Sequence, residues 1–247
     1  MNPQKYIAGA FLILPFQAIS QHRIQHINML WAGYYHSTKL NEKWALSGDA
    51  QIRTSQWTNK WSQFLFRYGA NYSLKNRVTL TVGFAYFKSA EYTTSALLWK
   101  SEFRPWQEIA WKNNFHKINF TQRLRTEERF MQTVADEKLS GNYQFMWRTR
   151  YKFEVQIPLG KTKFDAIAGN EIMVNPGYMN SSIFFDQNRS SAGFNFHANQ
   201  KSNFQLQYVK IYQWHSKAAT MDNQDVLRIN FVQQVNAFKK EKHNTLW

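Results

Sequence analysis

The chain reads as all-β: a single antiparallel transmembrane β-barrel of about 12 strands, with 10 as the alternative, around a lumen rich in Arg and Glu. Three observations predict it. From Tyr143 to Ile157 the residues alternate with period two for fifteen positions, Tyr143, Phe145, Trp147, Tyr151, Phe153 and Val155 against Gln144, Arg148, Arg150, Lys152 and Glu154. Successive strand side chains point to opposite sides, so one face is apolar and the other charged. A strand this long exceeds what soluble sheets usually use, and apolar-out, charged-in strands are what a membrane barrel needs. The third observation is that short turns and longer polar stretches alternate along the chain, the pattern of periplasmic and extracellular connections.

The N-terminus carries a short basic region, Met1 to Lys5, then an apolar stretch from Tyr6 to Phe16 and small residues at Ala18-Ile19-Ser20. This predicts a signal peptide over 1–20 and export. The barrel is then expected over 21–238, with a basic C-terminal tail over 239–247. No other apolar run reaches the ~18 residues a helical span requires. The chain has 247 residues, no cysteine and a formal charge of +15, with 17% aromatic residues. Such a basic, aromatic chain could hold nucleic acid, but export argues against that partner. Outer-membrane lipid and lipopolysaccharide are the expected counter-charges.

Taken in order, Gln25 to Ser37 is a strand with blurred alternation, ending in a polar turn at Lys39 to Lys43. Trp44, Leu46, Ala50 and Ile52 alternate with Ser47, Asp49, Gln51 and Arg53. After Thr58-Asn59-Lys60, Phe64, Phe66, Tyr68, Ala70 and Tyr72 face out, with Gln63, Arg67 and Asn71 inward. Lys75-Asn76-Arg77 turns into a strand with Val78, Leu80, Val82, Phe84 and Tyr86 outside. Residues 88–102 read as an irregular loop, followed by a strand from Trp106 to Trp111 and a turn at Asn113 to Lys117. Next, Ile118, Phe120 and Leu124 alternate with Arg123, Arg125 and Glu127.

Residues 131–141 read as a polar loop. The strand from Tyr143 turns at Pro158 to Lys161 and returns with Phe164, Ala166, Ala168, Ile172 and Val174 outside, Asp165, Gly169 and Glu171 inside. A loop over 175–187 precedes a strand with Arg189, Ser191 and Asn195 inside. After a turn at Asn199 to Asn203, Phe204, Leu206, Tyr208 and Tyr212 mark a strand, residues 215–224 a loop, and Leu227, Ile229, Phe231 and Val235 the last strand. The count is eleven. Bacterial single-chain barrels take even numbers, so the expectation becomes twelve.

Seven pieces, Trp44 to Arg53, NYSLKNRVTLTVGFAYF (71–87), PWQEIAW (105–111), RLRTEERF (123–130), RTRYKFE (148–154), NEIMVN (170–175) and FDQNRSSAGFNF (185–196), follow one another over most of the chain. With them the sequence resembles an uncharacterised family of bacterial outer-membrane β-barrel proteins, a domain of unknown function. The resemblance implies a barrel in the outer membrane and imports no activity.

Two residue sets are candidates for function. Inward-facing Arg53, Arg67, Glu108, Arg123, Arg125, Arg148, Arg150, Glu154, Glu171, Arg189 and Arg228 converge on the lumen. Either they pair and fill a small barrel, or their cationic excess biases a narrow pore toward small anionic solutes. Outward Trp44, Tyr68, Tyr72, Trp111, Trp147, Tyr151, Phe194 and Tyr208 are expected to meet lipid and form interfacial girdles.

A lipid-modifying hydrolase would need Ser beside His. His36-Ser37 and His215-Ser216 are adjacent, which in a strand sends them to opposite faces, while His197-Ala198-Asn199 lacks the Ser. A lipocalin-like periplasmic barrel, apolar inside, is the other alternative. No catalytic activity, cofactor or metal is expected, since neither metal-ligand spacing nor a phosphate loop occurs and Asp186, Asp222 and Asp225 read as loop carboxylates. The oligomeric state is open.

Overall fold

The computed structural model describes residues 23–178, 184–215 and 220–237. The expected signal peptide, the basic tail, Ser216 and parts of the 175–187 and 215–224 stretches lie outside them. Eleven strands among the described residues close into a barrel. They are β1 (Arg23–Lys39), β2 (Trp44–Ser55), β3 (Lys60–Ser73), β4 (Val78–Tyr92), β5 (Leu97–Phe115), β6 (Ile118–Ala135), β7 (Lys138–Pro158), β8 (Phe164–Val174), β9 (Phe185–Asn199), β10 (Ser202–His215) and β11 (Thr220–Asn236).

Neither twelve strands nor ten is correct. Each strand is antiparallel to its sequence neighbour, so with an odd count the first and last run the same way. They pair in parallel, from Arg23↔Thr220 to Lys39↔Asn236. That seam leaves no open edge to be satisfied by lipid or by another chain. The eleven patterns in the sequence are the eleven strands; parity was the misleading argument.

The expected alternation of short and long connections is also wrong. At one rim, here the near rim, the chain turns at 40–43, 74–77, 116–117, 159–163 and 200–201. At the far rim it turns at 56–59, 93–96 and 136–137, with a longer connection only over 175–184. Residues 88–102 and 131–141, expected as loops, are strand that runs on to two tight turns. The 136–137 turn has positive φ at both Asp136 and Glu137 (48° and 55°), the backbone of a type I′ hairpin. The polar composition that looked like loop belongs to strand ends that run on to the far-rim turns. β7 has 21 residues, about twice the number a tilted strand needs to cross hydrocarbon.

The outer surface is apolar. All eight expected girdle aromatics point outward, with Trp44, Tyr68, Trp147, Phe194 and Tyr208 exposed and Tyr72, Trp111 and Tyr151 half-buried among neighbours. Where polar groups face out they satisfy one another. Asn170 Nδ2 donates to Asn188 Oδ1 at 3.0 Å and to Ser190 Oγ at 2.9 Å.

Candidate functional site in the lumen

Strand alternation sends every second side chain of β2 to β11 inward, and the expected lumen residues are on that parity. All eleven expected lumen residues face the interior. Ion pairs hold all of them except Arg53 and Arg228. On β3, Arg67 Nε donates to Asp49 Oδ1 of β2 at 2.9 Å and its Nη2 to Oδ2 at 3.0 Å, a two-pronged contact. Arg123 and Arg125 of β6 share Glu108 of β5 at 3.4 and 2.6 Å. Arg150 of β7 reaches Glu127 Oε1 at 2.6 Å and both oxygens of Glu171 at 2.9 Å. Arg123 Nη2 also reaches Glu171, at 2.5 Å. Lys152 Nζ donates to Glu154 at 2.6 Å. Such a network survives burial because every carboxylate meets guanidinium or ammonium hydrogens.

The sequence reading missed part of this cluster. Glu102, at the end of the stretch taken for a loop, and Arg104, just after it, form a fork at 2.6 and 2.8 Å. Arg129 Nε joins Glu102 at 2.6 Å, and Arg104 Nη1 touches Glu127 at 3.3 Å. Asp186, expected as a solvated loop carboxylate, is buried at the start of β9 and pairs with Arg148 at 2.9 Å. The signal was present: Glu102, Arg104, Trp106 and Glu108 continue one parity. Pro105 obscured it, since proline cannot donate to a ladder. The β5–β6 pairing does lapse there, resuming from Phe103↔Phe130 to Trp106↔Glu127.

Two tryptophans are turned inward. Trp106 lies across Gly83 and Gly69, which are paired neighbours on β4 and β3. A Cβ on Gly83 would come within 2.4 Å of its ring. On Trp106 rests Arg125, its guanidinium carbon 3.9 Å from the ring centroid. Glycines inside strands mark such close approaches. Trp31 of β1 is the other; it packs with Met29, Val209, Ile211 and Val226 and carries Arg53 at 4.0 Å.

A cavity of about 440 Å³ occupies the lumen on the far-rim side of this cluster. Eleven cationic side chains and three carboxylates line it. A second cavity of about 260 Å³ lies toward the near rim, and Arg67 and Arg123 border both.

Among the described residues, two of the histidines weighed for catalysis make other contacts. His36 shares hydrogen bonds with Thr38 Oγ1 at 2.5 Å and the Tyr34 hydroxyl at 3.5 Å, not with Ser37. His197 is placed 2.5 Å from Asp165 and 3.0 Å from Asn203. His215 ends β10, and Ser216 is outside the described residues. Among the described residues no group of three His, Asp or Glu is placed to hold a metal ion.

Closed strands, an apolar exterior and a charged interior define a β-barrel of the membrane-spanning class. The chain belongs to the family described as "Protein of unknown function (DUF2490)", which matches residues 28–222. No curated protein matches it. Of solved structures, the NanC porin is similar at 14% identity and TM-score 0.43, over 76% of this chain and 88% of that one. The translocator domain of autotransporter NalP from Neisseria meningitidis is similar at 13% identity and TM-score 0.44, over 74% and 72%. Neither likeness bears on function.

Proposed function

We propose that the protein is a non-catalytic outer-membrane barrel whose lumen gives small anions a narrow path. The excess of cationic over acidic side chains on the cavity wall carries this reading. In a low-dielectric wall those charges attract anions and repel cations. The ion-paired layer of Glu108, Arg123, Arg125, Glu127, Arg150 and Glu171 narrows the path between the two cavities. It also favours a second reading, a sealed binding barrel.

Outer-membrane lipid and lipopolysaccharide are the proposed surroundings. Each near-rim turn carries an exposed lysine (Lys43, Lys75, Lys117, Lys161 and Lys201), a ring suited to anionic headgroups.

Proteoliposomes containing a halide-quenched dye test the reading. Iodide entry well above that of protein-free vesicles, with slower potassium entry, supports the path. Iodide entry no faster than in empty vesicles, from a barrel shown to be folded, leaves the sealed barrel.

A further inference from the structure

We propose that Trp31, Arg53, Arg189 and Arg228 form a binding site for a small multivalent oxyanion, an inference that rests on the anion path above and gives it a stopping place. The site is built by the seam. Trp31 on β1 is the Cα partner of Arg53 on β2 and of Arg228 on β11, so the three share one level of the wall. All line the larger cavity. Arg189 on β9 reaches the same indole, its guanidinium carbon 5.2 Å from the ring centroid, with Arg53 at 4.0 Å.

What separates these arginines from the rest is the partner that holds them. Arg53 donates to Gln63 at 2.9 Å and Gln51 at 3.0 Å. Arg189 Nε donates to Gln187 at 2.8 Å. Arg228 donates to Gln207 through Nε at 3.0 Å and Nη2 at 2.5 Å. An amide oxygen is a neutral acceptor. It fixes the direction of a guanidinium and leaves its charge uncompensated, whereas the arginines of β3 and β5 to β7 all meet carboxylates. The acids nearest them are already held: Glu171, 3.9 Å from Arg189, by Arg123 and Arg150, Asp186 by Arg148, and Glu154, which Arg228 feels, by Lys152.

Two buried donors in the site, Trp31 Nε1 and Arg53 Nε, have no acceptor among the described residues. Two guanidiniums at one indole, with Arg228 at the same level of the wall, repel one another, and an anion among them relieves that repulsion. Guanidinium forks suit carboxylate, sulfate and phosphate oxygens, and a multivalent ion engages several at once. The shared chemistry is oxyanionic, and the titrants separate the three sources.

The test is calorimetric titration of the full chain, refolded in zwitterionic detergent at low ionic strength, with sulfate, phosphate, citrate and acetate. Saturable one-to-one binding of at least one multivalent ion is expected, about tenfold or more tighter than acetate. Arg228→Gln and Arg53→Gln weaken it by about tenfold or more, the scale of a lost charged hydrogen bond. Lys163→Gln, the same charge change in a near-rim turn, leaves it within about twofold. Heat-modifiable gel migration reports folding, and Trp31→Phe, which removes the indole donor and keeps a ring, serves if an arginine variant does not fold.

No saturable binding, or equal binding by wild type and the site variants, overturns the site. Iodide flux without such binding overturns the site and leaves the path. Binding without flux upholds the site and overturns the path.

Discussion

Arg150 Nη1 donates to Glu127 Oε1 at 2.6 Å at the centre of the lumen, while Nη2 of the same guanidinium grips Glu171 at 2.9 Å. One side chain of β7 thereby bonds to both neighbouring strands, β6 and β8. Glu127 is 2% exposed and also meets Arg104, so its removal takes one of two carboxylates from each of two buried cations. Glu127→Ala is expected to lower unfolding free energy by ~3–5 kcal/mol, read from urea unfolding of the refolded barrel. A change within the error of that measurement would show the layer to be ornamental to stability.

Trp106 needs the two glycines beneath it. Gly83→Ala places a methyl 2.5 Å from the Tyr68 carbonyl as well as against the indole, and the backbone cannot yield cheaply. A loss of ~1–3 kcal/mol is expected, seen as a lower midpoint of heat-modifiable migration. Gly141→Ala meets nothing within 4 Å and should leave the midpoint where it was.

The parallel seam has a covalent test, because the chain has no cysteine. Ala32 and Ile229 are Cα partners across β1 and β11, and neighbouring strands lie ~4.8 Å apart, within disulfide reach. The double variant Ala32→Cys with Ile229→Cys is expected to circularise on oxidation and change its migration only without reductant. Failure to cross-link would place another strand in the seam.

Glu137, in the turn between β6 and β7, accepts from the Thr94 hydroxyl, from Ser95 Oγ at 2.7 Å and from the Thr94 amide at 3.2 Å. It ties the tips of two far-rim hairpins together. These hydrogen bonds, the Thr94 hydroxyl's first, hold its carboxyl below the usual Glu range. A carboxyl depressed in the folded state contributes its full stabilisation above the ordinary Glu pKa and loses it as pH falls through the lowered value. Hydrogen exchange at the 93–96 turn should therefore stay slow at neutral pH and quicken only in strong acid. Glu137→Gln should quicken it at neutral pH.

Much of the barrel can be read from residue parity. The faces of β2, β3 and β7 follow from their alternation, and each inward charge named from the sequence is inward. Strand ends were less legible, because Lys88, Ser89, Glu91, Lys100 and Ser101 are polar on both faces where β4 and β5 run on to their turn, and alternation fades there. Pro105 added a false stop. Trp31 and Trp106 were lost among the many aromatics that do face out. Trp31 is joined to Arg228 only through the seam, and no local pattern relates positions 197 residues apart in the chain. The glutamine holders escaped notice because an amide among arginines looks like ordinary lumen polarity until the register shows which guanidinium it meets.

The proposed anion path draws its bias from the arginines held by glutamine. The most direct measurement is the reversal potential of the barrel in a planar bilayer under a KCl gradient, for wild type and for the variant carrying Arg53→Gln, Arg189→Gln and Arg228→Gln. The wild type is expected to reverse toward the chloride equilibrium potential, and the triple variant to move clearly toward zero. A wild type that reverses at zero or toward potassium, or a triple variant that reverses where the wild type does, would contradict the claim.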